Sequence, residues 1–202
     1  MSWLQRYAGN GRVAGIDLSP TALKFCGKRG HTMLAQACAT KLPFPDSMFD
    51  LVTSFDVLEQ LPTEGSDEAA LGEMLRVLRP KGVTFVRVPA YEWLKSDHDR
   101  ALATQHRYSL DELTSKMKRA GFEILRTTYA NNLLMPVAAL RRLVLKRLGL
   151  ASQGSDVKPL PAFLRWLNDP LTLALRAEAR WLERPHSSLR FGLSAICVAK
   201  KA

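Results

Sequence analysis

At 202 residues, with 47% hydrophobic and 24% charged side chains, the chain has the balance of one soluble globular domain plus an appendage, and it needs no disulfide or metal to build a core. Its three cysteines, Cys26, Cys38 and Cys197, form neither a CxxC pair nor a Cys/His cluster. A reducing cytoplasm and no bound metal are therefore expected. No apolar run reaches the roughly 18 to 20 residues that span a bilayer, and the N-terminus lacks a signal-peptide layout, which argues against secretion and against an integral membrane protein. The net charge of +10 is uneven: residues 141–202 hold 12 Lys/Arg against 4 Asp/Glu.

In chain order, an apolar run over 13–16 ends in Asp17, and Ser19-Pro20 supplies an N-cap and first-turn proline for a helix reaching Gly30. A second strand is predicted over 32–38, then a loop imposed by Pro43 and Pro45. Residues 49–55 form a third apolar run, and a helical pattern runs from Asp67 to Leu78. Pro80-Lys81-Gly82 predicts a turn. Strands are predicted over 83–88 and 122–129, flanking a helix opened by Ser109 and Glu112 in a capping box. Beyond residue 131 come helical stretches at about 133–149 and 161–183, then a last strand over 191–199. Strands alternating with helices predict an α/β fold with a mostly parallel sheet covered on both faces.

Ligands bind beyond the carboxyl ends of such strands. Asp17 stands there, either accepting the two hydroxyls of a ribose or capping the next helix. Four blocks then follow in order: Gly15-Ile16-Asp17-Leu18-Ser19-Pro20; Leu42-Pro43-Phe44-Pro45-Asp46 with Phe49-Asp50; Val57-Leu58-Glu59-Gln60-Leu61; and Leu75-Arg76-Val77-Leu78-Arg79-Pro80-Lys81-Gly82. In order and spacing they resemble the class I S-adenosylmethionine-dependent methyltransferases of the small-molecule and lipid type. The resemblance covers residues 1–131, a Rossmann-like core, and the final strand within 188–202, taken as antiparallel; 132–187 reads as a basic helical insertion.

The resemblance implies S-adenosylmethionine as cofactor, with Asp17 on its ribose, Leu18 on its adenine face, Cys38 and Ala39 at the adenine edge, and Ser54 and Phe55 beside its methionine part. Cys38 stands where many relatives have an aspartate, and Glu59-Gln60 where relatives show Glu-His, so no catalytic histidine is carried over. Methyl transfer from a sulfonium needs no proton on the leaving group, so positioning can supply much of the rate and a base is optional. His98 and Tyr108, in the segment after the fourth recognised strand, are the candidates if one exists; a surface loop with local hydrogen bonds is the alternative. Asp97-His98-Asp99 are adjacent and cannot all reach one metal ion.

The family normally opens with an apolar strand and a glycine-rich turn. Neither precedes Asp17. Gly9-Asn10-Gly11-Arg12-Val13-Ala14 matches G-x-G-x-x-A in letters, but lies before a strand and reads as a helix-to-strand turn after a helix over 1–8. The first strand is thus expected to be missing, leaving two open interior edges, and the chain reads either as an enzyme whose coding region begins upstream or as a silent paralogue acting as a binding partner. In the C-terminal third, 133–150 reads as a basic amphipathic helix suited to peripheral membrane contact, to an acceptor pocket, or to plain packing on the sheet. A small or lipid-like acceptor is preferred. A nucleic-acid methyltransferase is the competing reading, disfavoured because the basic residues are not visibly interleaved with aromatics and no Asn-Pro-Pro-Tyr-like tetrapeptide follows Ser54.

Overall fold

A computed structural model describes residues 2–62, 64–95, 99, 103–140 and 168–202. Helix α1 (Ser2–Tyr7) leads through a turn closed by Gly11 N–H on the Ala8 carbonyl at 2.7 Å into β1 (Gly15–Asp17). The turn contains Gly9 at φ +54, so its glycine letters serve a helix-to-strand connection, as the sequence indicates. Helix α2 (Pro20–Lys28) starts where Ser19 Oγ accepts the Ala22 N–H, and β2 (Leu34–Gln36) follows parallel to β1.

A second sheet holds β3 (Phe49–Phe55), β4 (Leu78–Pro89), β5 (Phe122–Ala130) and β6 (Ser194–Lys201), in the order β3-β4-β6-β5. β3 and β4 are parallel, whereas β6 runs antiparallel to both β4 and β5. The last strand is therefore interior: it separates β4 from β5 and supplies both with backbone partners. Gly192 allows its entry, since a Cβ there would meet the Ala130 carbonyl oxygen at 2.3 Å.

Helices α3 (Ser66–Val77) and α4 (Leu110–Arg119) cover one face of this sheet. Their Leu71, Met74, Leu113 and Met117 pack with Val86, Val88, Ala195 and Cys197 in one buried cluster. Two short helices, α5 (Met135–Leu140) and α6 (Asn168–Leu182), belong to the segment between β5 and β6. The α/β class and the antiparallel final strand stand as expected; of the four ladders among the described residues two are parallel and two antiparallel, so the sheet is mixed rather than mostly parallel.

Three further expectations change. Pro80-Lys81-Gly82 follows the end of α3 and turns the chain, with Lys81 at φ 65, but β4 begins before it, at Leu78 rather than at residue 83, and the turn lies within a register shift opposite Phe49 and Leu51. The capping box is only half made. Ser109 Oγ accepts the Glu112 N–H at 3.1 Å, but the Glu112 carboxylate turns to His106 Nε2 at 2.8 Å. Of the two long C-terminal helices, 135–140 and 168–182 are helical, 133–134 and 183 are turns, and 141–149 and 161–167 lie outside the described residues.

The described strands fall into two separate sheets. β1 pairs only with β2 and β3 only with β4, so among the described residues no ladder joins β1 to β3. Helix α2 buries none of its side chains, and the main apolar cluster draws nothing from residues before Ala39.

Candidate functional site

The carboxyl ends of β1, β2 and β3 carry the residues singled out in the sequence. Asp17 closes β1, with its Oδ1 accepting the Ser19 N–H at 2.8 Å. One oxygen is taken up by the turn into α2, and Oδ2 has no partner among the described residues. Leu18 follows at 61% exposure, an aliphatic surface laid open beside an acid. Gln36, at the end of β2, donates from Nε2 to the Leu18 carbonyl at 3.0 Å and holds this corner in shape. Nothing in the local pattern marked Gln36, because its partner lies 18 residues away.

Cys38 is half-buried, and the Thr40 hydroxyl donates to its Sγ at 3.1 Å. That hydrogen bond lowers the thiol below its ordinary value. Ala39 packs against the central cluster, which leaves it less available to an adenine edge than its sequence position suggests.

Ser54 and Phe55 take opposite faces of β3, as alternation demands. Ser54 is buried on the core side, beside Val86 in the neighbouring strand, and its Oγ lacks a hydrogen-bond partner. Its backbone rather than its hydroxyl is what the open edge presents. Phe55 remains 46% exposed, with Phe85 at 5.2 Å between ring centroids and the Arg87 guanidinium 5.4 Å from its own. Arg87 also pairs with Asp56, whose positive φ of 52 bends the chain away from the strand end.

Beyond β3, a 3-10 turn over Leu58–Gln60 buries Glu59 to 2% exposure and leaves its Oε2 without a hydrogen-bond partner. Burial raises this carboxyl to about 7, with Asp56 adding to the rise and Arg87 and Arg107 opposing it. The Glu59 carbonyl accepts the Gln105 N–H at 2.7 Å, so the segment after β4 lies directly over this turn.

That segment is pinned by a buried ion pair, Arg107 Nε to Asp99 Oδ1 at 2.7 Å, with Arg107 Nη1 donating to the Ala90 carbonyl at 3.0 Å. Sequence reasoning missed this pair: an Asp and an Arg eight apart in a polar stretch carry no local signal of burial. Of the two base candidates, His98 lies outside the described residues. Tyr108 is core, 2% exposed, and its hydroxyl donates to Asp67 Oδ2 at 3.0 Å. Burial raises the phenol further above its ordinary value, an arrangement that suits holding the loop to α3 rather than accepting a proton. No group of three or more His, Cys, Asp or Glu able to hold a metal occurs among the described residues.

A mixed sheet with an acid at one strand end and an interior antiparallel last strand matches the Rossmann-like methyltransferase fold. The methyltransferase-domain family model matches residues 1–86, and with the relatives below it supports a class I S-adenosylmethionine-dependent methyltransferase domain. A ubiquinone/menaquinone biosynthesis C-methyltransferase of Azotobacter vinelandii is 33% identical over 164 residues, 66% of this chain and 63% of that one. A tRNA (carboxymethyluridine(34)-5-O)-methyltransferase of Arabidopsis thaliana is 30% identical over 106 residues, 48% of this chain and 25% of that one. This chain thus spans between a quarter and about two thirds of those two relatives' lengths. Among solved structures, an S-adenosylmethionine-dependent methyltransferase of Archaeoglobus fulgidus superposes with a TM-score of 0.59 at 15% identity, covering 98% of this chain and 80% of that one.

The described residues fit the nucleoside part of that cofactor. A partner-free carboxylate oxygen on Asp17 and the open Leu18 side chain answer a ribose edge and a purine face. For the methionine part they offer the β3 edge at Ser54 and Phe55, with no glycine turn facing it among the described residues.

Proposed function

We propose that this chain transfers a methyl group from S-adenosylmethionine to a small or lipid-like acceptor, its described residues holding the nucleoside part of that cofactor. The observation that carries this reading is Asp17 closing β1 with one carboxylate oxygen unengaged and Leu18 exposed beside it. Asp17 binds the ribose hydroxyls, Leu18 covers one face of the base, and Cys38 lies at its edge. Phe55 and the β3 edge screen the methionine end from water. The cofactor supplies the methyl on a sulfonium, a leaving group that needs no protonation, so positioning is what these residues contribute. A dedicated proton acceptor is not required of them. The preference for a lipid-like acceptor draws on the quinone-pathway relative, and peripheral contact through 133–150 falls mostly outside the described residues.

Calorimetric titration with S-adenosylhomocysteine tests the reading, on this chain and on one carrying an apolar strand and glycine turn joined before residue 1. Binding by either form, weakened at least about tenfold by Asp17→Asn, is the expected result. Binding by neither form sinks it. The open edges of β1 and β3 favour a second reading, a catalytically silent relative, and that outcome would select it.

A further inference from the structure

Helix α6 turns one side toward the end of β5 and leaves the other in solvent. Glu178 is on the inner side, its carboxylate accepting the backbone N–H groups of Asn131, Asn132 (3.0 Å) and Leu133 (3.4 Å). Leu171, Leu175 and Leu182 share that side and are half-buried. At about 100° per residue, the outer side collects Leu173, Arg176, Arg180 and, just past the helix end, Arg184, with Trp181 at one flank; Asp169 in the first turn shares this side and Glu183 stands at the other flank, so basic side chains still outnumber acidic ones.

Leu173 is 67% exposed and Trp181 47%. The Arg184 guanidinium sits 5.1 Å from the Trp181 ring centroid, and no ion pair among the described residues involves Arg176, Arg180 or Arg184. Between α6 and the residues after β5, an open groove of about 310 Å³ is lined by Leu133, Ala174, Ala177, Trp181 and Leu189. Leu133 is itself 51% exposed. A single tryptophan stands among these arginines, because the helical turn brings together residues three and four apart.

We propose that this outer side of α6 docks on an anionic phospholipid bilayer, the three arginines on headgroup phosphates and Leu173 and Trp181 at the acyl boundary. The unpaired guanidinium groups call for a dense anionic surface. The apolar residues between them select a bilayer over a soluble polyanion: a projecting leucine gains nothing from phosphate or sugar, and loses its contact with water on entering acyl chains. A second copy of the chain fits less well, since a two-fold interface on this side sets arginines against arginines. The inference does not depend on the methyl-transfer reading.

Flotation of the full chain with vesicles of phosphatidylcholine, alone or mixed equally with phosphatidylglycerol, tests it. The chain is expected to float with the mixed vesicles and about tenfold less with phosphatidylcholine alone. Both R176Q/R180Q/R184Q and L173A/W181A should lower partition to the mixed vesicles about tenfold, with helix content by circular dichroism unchanged because these side chains are exposed. K24Q/K28Q/R29Q removes the same charge from α2 and its C-cap and should leave partition near wild type. The proposal is overturned if the chain does not float with mixed vesicles, or if the α2 triple variant loses as much as the α6 one. Binding to polyuridylate without flotation assigns the surface to nucleic acid, and a dimer dissolved by L173A/W181A assigns it to a second copy; either result also overturns it.

Discussion

The Tyr108 hydroxyl donates to Asp67 Oδ2 at 3.0 Å, and Lys116 Nζ reaches the same oxygen at 2.8 Å. Burial pushes the Asp67 carboxyl up, but the hydrogen bonds from Lys116 and Tyr108 outweigh it and hold the group below its ordinary value. A tyrosine committed in this way is a clamp between the segment after β4 and α3. Tyr108→Phe should therefore cost about 1 to 2 kcal/mol in urea unfolding and leave S-adenosylhomocysteine affinity unchanged. Lost affinity at unchanged stability would return Tyr108 to the binding site.

Glu59 makes stability depend on pH in a defined sense. Its folded value, about 7, stands above the ordinary 4.5, so the folded chain keeps a proton that the unfolded chain has already released. Stability attributable to Glu59 is full below about pH 4.5, declines as pH rises to about 7, and is level above that. Glu59→Gln should remove the decline, gaining on the order of 1 to 3 kcal/mol over wild type at about pH 8 and nothing at about pH 4. Chemical unfolding across that range reads it directly, and parallel pH profiles for the two proteins would refute it.

Arg107 and Asp99 are both nearly solvent-free, so Arg107→Met removes one charged hydrogen-bond partner from a buried carboxylate. It should cost about 1 to 3 kcal/mol. This pair and the bond to the Ala90 carbonyl fasten Arg107 to the chain just past β4. A change of under about 0.5 kcal/mol in urea unfolding would show that the pair is not what fastens it.

Leu18 separates binding from folding. It touches little of the protein, so Leu18→Ser should alter stability by less than about 0.5 kcal/mol. Losing its contact with a purine face should weaken S-adenosylhomocysteine binding severalfold, corresponding to about 1 kcal/mol. Equal affinity in wild type and variant would remove Leu18 from the site.

Much of this architecture was legible because it is local. Ser19 and Ser109 announce two helix starts, the alternation of strand and helix announces the sheet, and Asp17 stands out by ending a strand. What escaped depends on partners distant in sequence. β6 gains its interior place from β4 and β5, more than sixty residues earlier. Glu59 and the Arg107–Asp99 pair owe their roles to burial, which polar letters do not reveal, and Gln36 owes its role to a partner 18 residues away. The turn signal at Pro80-Lys81-Gly82 was real, yet pairing with β3 resumed beyond it, since one irregular register step costs less than ending a ladder.

The gap between β1 and β3 makes the molecule two unfolding units. Residues 15–36 form a small two-stranded piece whose helix buries nothing, so its amides should exchange with solvent far faster than those of β4 and β6. Asp17 ends one unit and Phe55 the other, so a ligand spanning them behaves as a splint. Slowed exchange at Ile16 and Ala35 would then report occupancy of the site without any knowledge of the methyl acceptor.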